Sequence, residues 1–316
     1  MIFGRYFFKY YIKYGIFFLI GIGILIFIDY IQVDIPVLIG HIVDILNQAG
    51  PRDTASINNF LWEIVRIASV IAIGRCLWRF CIFSTSRQIE YEIRNVMFAH
   101  ACCLDSEFYH NNKVGGLMTY FINDLAAVRE SFGPGILTLI DGIFLSTFTV
   151  IKMFSLNSTL SYVVLALLVG LLTVVILQSL IMKRKFKLRQ DSFEKLSDFV
   201  NESFSGIQVI KAYLKETSEL AFFNQKSQDF RDKHLSFVRV AVRVEIFVSI
   251  ITNVIALVIL ALGSFFIIQM IAVGGRVFSG GELTAYITLF FELLWPLTAI
   301  TRFLNINSQG QASAKR

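Results

Sequence analysis

Six stretches of the chain, at about 15–40, 60–84, 133–154, 160–182, 246–273 and 283–304, run apolar for the ~20 residues that a helix needs to cross a bilayer core. Nothing else in the sequence narrows the fold as much. Hydrocarbon offers no water to backbone amides and carbonyls, so each segment has to satisfy its own, and a helix does this. The expectation is an all-α membrane protein with six transmembrane helices. Composition agrees: 55% of the residues are hydrophobic and 16% charged, against roughly 25% charged in a soluble domain. The N-terminal run resembles a secretory signal, with Arg5, Lys9 and Lys13 ahead of Gly15 to Ile28. Asp29 and Tyr30 follow where small residues for cleavage would stand, and the apolar pattern continues to Val43, so it reads as a retained first span.

The connections between spans come in two kinds. Spans one and two, three and four, and five and six are joined by short polar or Gly-rich turns carrying two basic residues in all, Arg52 and Arg276. The other two connections, at about 85–132 and 183–245, are long and charged. The stretch from Met182 to Val244 alone carries 13 Lys and Arg residues. Cytoplasmic loops collect positive charge, so the long connections and both termini are expected on the cytoplasmic side of the cell membrane. Apolar spacing near 3.6 continues through Ser86 to Cys103 and through Asp191 to Val200, with no breaker at the membrane boundary. A helix from about Asn58 to Cys103 would be roughly 65 Å long at 1.5 Å per residue, about twice the hydrocarbon core. The spans therefore extend as long cytoplasmic helical hairpins. Asn111-Asn112 with Gly115-Gly116 marks one tip and Gly206 the other. Aromatics on those tips (Phe108, Tyr109 and Tyr213) lack cover from their own hairpins and suggest docking to a soluble partner.

Other function classes find little support. The net charge of +6 belongs to residues flanking apolar runs, not to an aromatic-interleaved groove, so no nucleic acid is expected as partner. Cys76, Cys81, Cys102 and Cys103 form no metal-ligand or redox spacing, and His41, His100, His110 and His234 are scattered. No catalytic residue, metal site or cofactor site is expected on this chain.

The tip sequences carry a specific resemblance. Phe108 to Leu125 (F-Y-x-x-N-K-V-G-x-L-x-x-x-x-x-N-D-L) resembles the first intracellular loop of bacterial multidrug-type ABC exporters, and Asn201 to Glu216 (N-E-S-F-S-G-I-Q-V-I-K-A-Y-L-K-E) the second. Gly281-Glu282-Leu283 to Trp295-Pro296, then Asn305 to Arg316, resembles their sixth helix and its run toward the nucleotide-binding domain. The resemblance covers essentially the whole chain. It implies the membrane-spanning half of an exporter, with alternating access and hydrophobic or amphipathic drugs or lipids as cargo. Its partners would be the lipid bilayer, a second transmembrane subunit in a homo- or heterodimer, and nucleotide-binding domains that supply ATP and Mg. It further implies that Phe108, Tyr109, His110, Asn112, Lys113, Gln208, Lys211 and Tyr213 couple to the ATPase. Residues 1–14 would form an amphipathic elbow helix along the inner leaflet, ahead of a transmembrane domain at 15–316. Family members usually continue into the ATPase; no G-x-x-x-x-G-K-[ST] loop occurs in this chain, so that domain is expected to be supplied outside it. A peptide exporter or a non-transporting receptor with the same fold are the alternatives. A channel or secondary transporter is disfavoured because no matching pair of Gly- or Pro-interrupted spans is seen in the two halves.

Ionisable residues at membrane depth are costly and mark function. Asp141 in span three and Glu292 in span six fall near the midplane, and Pro296 is expected to kink the helix just after Glu292. These two are expected to line a central cavity that favours cationic amphipathic substrates. Asn253 and Gln178 are uncharged candidates for the same cavity. Asp29, Gln32 and Asp34 cluster in the outer half of span one, and Lys152 reads as a structural, snorkelling lysine.

Overall fold

The structure is a computed structural model and describes residues 5–47, 54–111, 114–273 and 278–316. Met1 to Gly4 of the expected elbow, most of the first short turn, the tip residues Asn112 and Lys113, and Gly274 to Val277 lie outside the described residues.

Among the described residues the fold is all α-helical. Helices α1 (Arg5–Gln32) and α2 (Asp34–Asn47) form the first pass, and α3 (Thr54–Cys102) the second. Short helices α4 (Ser106–Asn111), α5 (Val114–Thr119) and α6 (Leu125–Glu130) follow, with π-helical turns at Tyr120–Asp124 and Ser131–Gly135, and lead into α7 (Ile136–Leu156). Helix α8 (Ser158–Ser205), the short α9 (Ile207–Ala212) and α10 (Glu216–Val273) form the next hairpin, and α11 (Gly280–Glu292) and α12 (Leu294–Lys315) close the chain. Five described stretches are long and apolar enough to cross a membrane: Lys9–Asn47, Val114–Leu156, Ser158–Ser205, Glu216–Gln269 and Gly280–Lys315. Helix α3, which holds Glu63, Arg66, Arg75 and Arg79 within the expected second span, is not one of them. The expected helix from about Asn58 to Cys103 is present and starts four residues earlier. Arg5–Gln32 is one unbroken helix, so no helix boundary at Tyr14 sets an elbow apart from the first span.

Two prolines shape the path. Proline at position i has no N–H for the carbonyl at i−4 and its ring crowds that carbonyl. Pro36 withdraws the donor from Gln32, and the helix breaks at Val33; Pro296 does the same to Glu292, and the helix breaks at Leu293. Each proline becomes the third residue of the following helix, where a missing donor is tolerated. The first and last passes are thus both interrupted helices. They are the first and sixth passes, which are not corresponding positions of two three-span halves, so they are not the matched pair an inverted repeat would give.

The chain divides into two compact units, one of Met1–Ser161 with Leu262–Arg316, the other of Tyr162–Ala261. In the first, α1 and α3 run antiparallel. Phe18, Leu25 and Ile28 on α1 pack with Ile71, Trp78, Ile82 and Ile89 on α3, spacings that keep one helical stripe on each. Two glycines set the closeness. A methyl on Gly21 would come 2.7 Å from Ile82 Cγ1, and one on Gly74 would come 2.6 Å from Ile28 Cδ1. Each helix offers a glycine to the other's isoleucine, the small-residue device by which membrane helices gain van der Waals contact. Helices α2 and α11 approach even more closely, with the Gly40 and Gly281 backbones in contact. The Asp44 carboxylate accepts from the Gly281 amide at 2.7 Å and from Ser279 Oγ at 2.5 Å, adding to the Ser279–Glu282 capping box at the start of α11.

The second unit is held largely by aromatic and polar pairs between α8 and α10. Phe186 meets Phe237 at 5.9 Å and Phe193 meets Phe230 at 5.4 Å between ring centroids. Arg189 stacks over both Phe186 and Phe237. Ser192 donates to Asp229 at 2.7 Å and Ser203 to Glu219 at 2.5 Å. Every pairing has the two positions moving in opposite directions, as an antiparallel hairpin folding at about residue 211 requires, and α9 sits there.

Candidate functional site

A cavity of about 400 Å³ lies in the first unit where α1, α3, α7, α11 and the start of α12 meet. Its polar lining comes from the pair of helix interruptions and their neighbours. Asp29 and Gln32 stand on the last turn of α1, Glu292 ends α11, and Trp295 sits in the first turn of α12. Gln32 and Glu292 are the two residues whose backbone carbonyls the prolines leave without their helical donor. Asp141 enters from the middle of α7, and Arg75, Trp78 and Arg79 from α3. The apolar part is Leu25, Ile28, Leu137, Leu145 and Phe291.

The polar groups are only partly used by one another. Trp295 Nε1 donates to Asp141 Oδ2 at 2.9 Å, and Arg75 donates to Gln32 Oε1 at 2.8 Å. The Arg79 guanidinium lies 5.3 Å from the centre of the Trp78 ring. Asp29 is only 3% exposed and Trp78 only 8%. Asp29 Oδ2, Trp78 Nε1 and Glu292 Oε2 are buried and have no hydrogen-bond partner among the described residues. An unpaired buried polar atom costs ~1–3 kcal/mol, and more when charged. Three around one cavity make this the least self-satisfied part of the described structure.

Asp141 and Glu292, expected at one site, line this cavity together. Asn253 and Gln178 are not among its lining residues and belong to the second unit; the Asn253 amide donates to the Ser249 carbonyl of its own helix at 2.8 Å. Lys152 pairs with Asp34 at 2.6 Å, which gives both a structural partner. Sequence reading missed Arg75, Arg79, Trp78 and Trp295. The arginines had a signal, two positive charges one turn apart inside an apolar run; the tryptophans had none beyond their type.

The tips differ from each other. On the first, Tyr109 Oη donates to the Ala101 carbonyl at 2.5 Å, and Phe108 is half-buried with its ring edge-on to Tyr109. Phe108 is therefore partly covered, against expectation, whereas Tyr109 stays exposed as expected, with only its hydroxyl tied to the end of α3. His110 is exposed. On the second tip Tyr213 is 74% and Leu214 80% exposed, with Gln208 and Lys211 also outward. Leu214 takes a φ of 51°, which ends the short helix and turns the chain into α10. Large apolar side chains left in the open at the end of a long hairpin mark a contact surface.

Residues 18–297 match the family described as the ABC transporter transmembrane region. The chain is 26% identical to the probable multidrug resistance ABC transporter ATP-binding/permease protein YheI of Bacillus subtilis, over 99% of this chain and 52% of the relative. It is also 26% identical to the multidrug resistance-like ATP-binding protein MdlA of Escherichia coli, over 94% of this chain and 49% of the relative. The chain spans about half the length of the curated relatives it matches.

Proposed function

The chain belongs to the ABC transporter transmembrane region family, and from that premise we propose that it forms the translocation pathway of an ATP-driven exporter by alternating access. It is a multi-pass membrane protein, and in this reading it works with a second transmembrane subunit and with nucleotide-binding domains that bind ATP and Mg. Both termini and both hairpin tips are cytoplasmic. The cavity lined by Asp29, Asp141 and Glu292 receives the substrate, an amphipathic drug or lipid.

The observation that carries this reading is the length of the second hairpin together with its bare tip. Helices α8 and α10 have 48 and 58 residues, or about 72 and 87 Å at 1.5 Å per residue, against a hydrocarbon core of ~30 Å. Most of each excess lies outside the bilayer and serves to place Tyr213 and Leu214 against a soluble partner. A channel or secondary transporter has no use for such levers, whereas an exporter needs them to join a cavity in the membrane to hydrolysis outside it. The relatives named above carry "ATP-binding" in their descriptions, which supports a nucleotide-binding domain as that partner.

The test is retention of the nucleotide-binding domain by the chain held in immobilised nanodiscs. The wild type should retain it, and Tyr213→Asp should release it by at least tenfold while the α-helical circular dichroism stays unchanged. Equal retention by both would remove the second tip from the coupling role, and no retention in any nucleotide state would overturn the exporter reading in favour of a receptor or channel.

A further inference from the structure

The cavity carries charge of both signs, and the signs stand on different walls. Arg75 and Arg79 are one turn apart on α3, whereas Asp29, Asp141 and Glu292 come from α1, α7 and α11. The lining thus holds two guanidinium groups and three carboxyl groups. A pocket built for a lone cation has no need of two guanidinium groups, since each repels that cation and each is costly at membrane depth. The arginines make no close ion pair with these carboxyl groups among the described residues, although the Arg75 charge acts at longer range on Asp29 and Glu292. Arg75 is bonded to Gln32, and Arg79 lies beside the Trp78 ring. The unpartnered atoms repeat the division: Asp29 Oδ2 and Glu292 Oε2 are acceptors, and Trp78 Nε1 on the arginine wall is a donor. A guest that satisfies all three has to donate on one side and accept on the other.

Resting on the reading of this cavity as the substrate site, we infer that it takes the dipolar head group of a zwitterionic amphiphile. The cationic centre faces Asp29, Asp141 and Glu292; the anionic group faces Arg75, Arg79 and the Trp78 indole N–H; the apolar tail leaves along Leu137 and Phe291. The charges then pair across the guest, which explains why they are not paired across the empty space between the walls. A volume of about 400 Å³ lies within the ~300–1,000 Å³ of small-molecule sites and holds a head group, not a whole lipid. Membrane lipid and a soluble zwitterionic amphiphile share this chemistry.

Three probes with one tail test it: dodecylphosphocholine, dodecyltrimethylammonium and dodecyl sulfate, titrated below their micelle concentrations into the nanodisc-embedded chain. Of the three tryptophans, Trp78 and Trp295 line the cavity, so indole fluorescence in a Trp62→Phe background reports occupancy, with retention of radiolabelled probe as a second readout. The zwitterion should saturate at a concentration at least tenfold lower than the cation, with the sulfate weakest. Arg79→Gln should erase the zwitterion's advantage while leaving cation binding equal or tighter, Arg79→Lys should keep the advantage, and Asp141→Asn should weaken both. In phosphatidylglycerol nanodiscs, added phosphatidylethanolamine should lower the probe's apparent affinity if membrane lipid is the guest and leave it unchanged if a soluble amphiphile is; either result keeps the dipolar head and assigns its source. Equal affinity for zwitterion and cation, or a preference that survives Arg79→Gln, overturns the dipolar head but leaves the cavity as a binding site. Absence of fluorescence change and of retention for all three probes overturns both.

Discussion

At the scale of single residues, the chain separates charges used for holding helices together from charges left available. Glu90 is buried on the extended part of α3 and is surrounded by Arg94 at 2.5 Å, Arg87 at 3.1 Å and Arg129 at 3.6 Å. Glu92, two residues on, accepts hydrogen bonds from Lys13 and, at 2.6 Å, from the Tyr14 hydroxyl, joining α1 to α3 beyond the expected membrane boundary. The bond from Lys13 above all, and then that from Tyr14, holds the Glu92 carboxyl below its ordinary range. A carboxyl whose folded pKa is depressed contributes stability at pH values above its unfolded pKa of ~4.3, and that contribution disappears as pH falls through the folded value. Thermal melting of the wild type should therefore fall more steeply than that of Glu92→Gln as pH is lowered from about 5 to about 3. Parallel pH profiles would show that the contact adds nothing. The cavity carboxylates contrast with this: Asp29 is as buried as the core residue Leu125 yet keeps an oxygen without a partner among the described residues. Sequence order places such a residue at a depth in the membrane, but whether a neighbour satisfies it depends on which helices meet there. Asp141 and Glu292 were legible as a pair for that reason only in depth, and Arg75 and Arg79 were passed over although the second span carries four charges, Glu63 and Arg66 with these two.

At the scale of helices, spacing in the sequence carried most of the structure. The run from Thr54 to Cys102 is one helix because no Pro or closely spaced Gly interrupts its 3.6-residue period, and the same period makes α8 and α10 long. What the period does not encode is where two helices touch. That is set by glycines, whose effect appears only when the partner is known: Gly21 with Ile82, Gly74 with Ile28, Gly40 with Gly281. Leucine at position 74 would have to occupy the volume of the Ile28 side chain. Overpacking of this kind costs ~1–3 kcal/mol, and Gly74→Leu should lower the melting temperature in nanodiscs, with Gly74→Leu combined with Ile28→Ala recovering a good part of the loss. A Gly74→Leu protein as stable as wild type would mean that α1 and α3 are not apposed at this register. The interruptions at Val33 and Leu293 were half legible: Pro296 announced its kink, whereas Pro36 was hidden inside an apolar run long enough for one straight span.

At the scale of the whole molecule, the cavity belongs to one unit and the bare tip to the other. Among the described residues, α8 and α10 are the elements with residues in both units. The proposed export requires that occupancy of the cavity and engagement of the tip be linked. The most direct test of that linkage is the ATPase rate of the chain together with its nucleotide-binding domain in nanodiscs, with and without dodecylphosphocholine, in the wild type and in Tyr213→Asp. The amphiphile should raise the wild-type rate severalfold and leave the Tyr213→Asp rate at its basal level, although indole fluorescence shows the cavity filling equally in both. An ATPase rate that ignores the amphiphile while the cavity fills, or stimulation that survives Tyr213→Asp, would contradict that linkage.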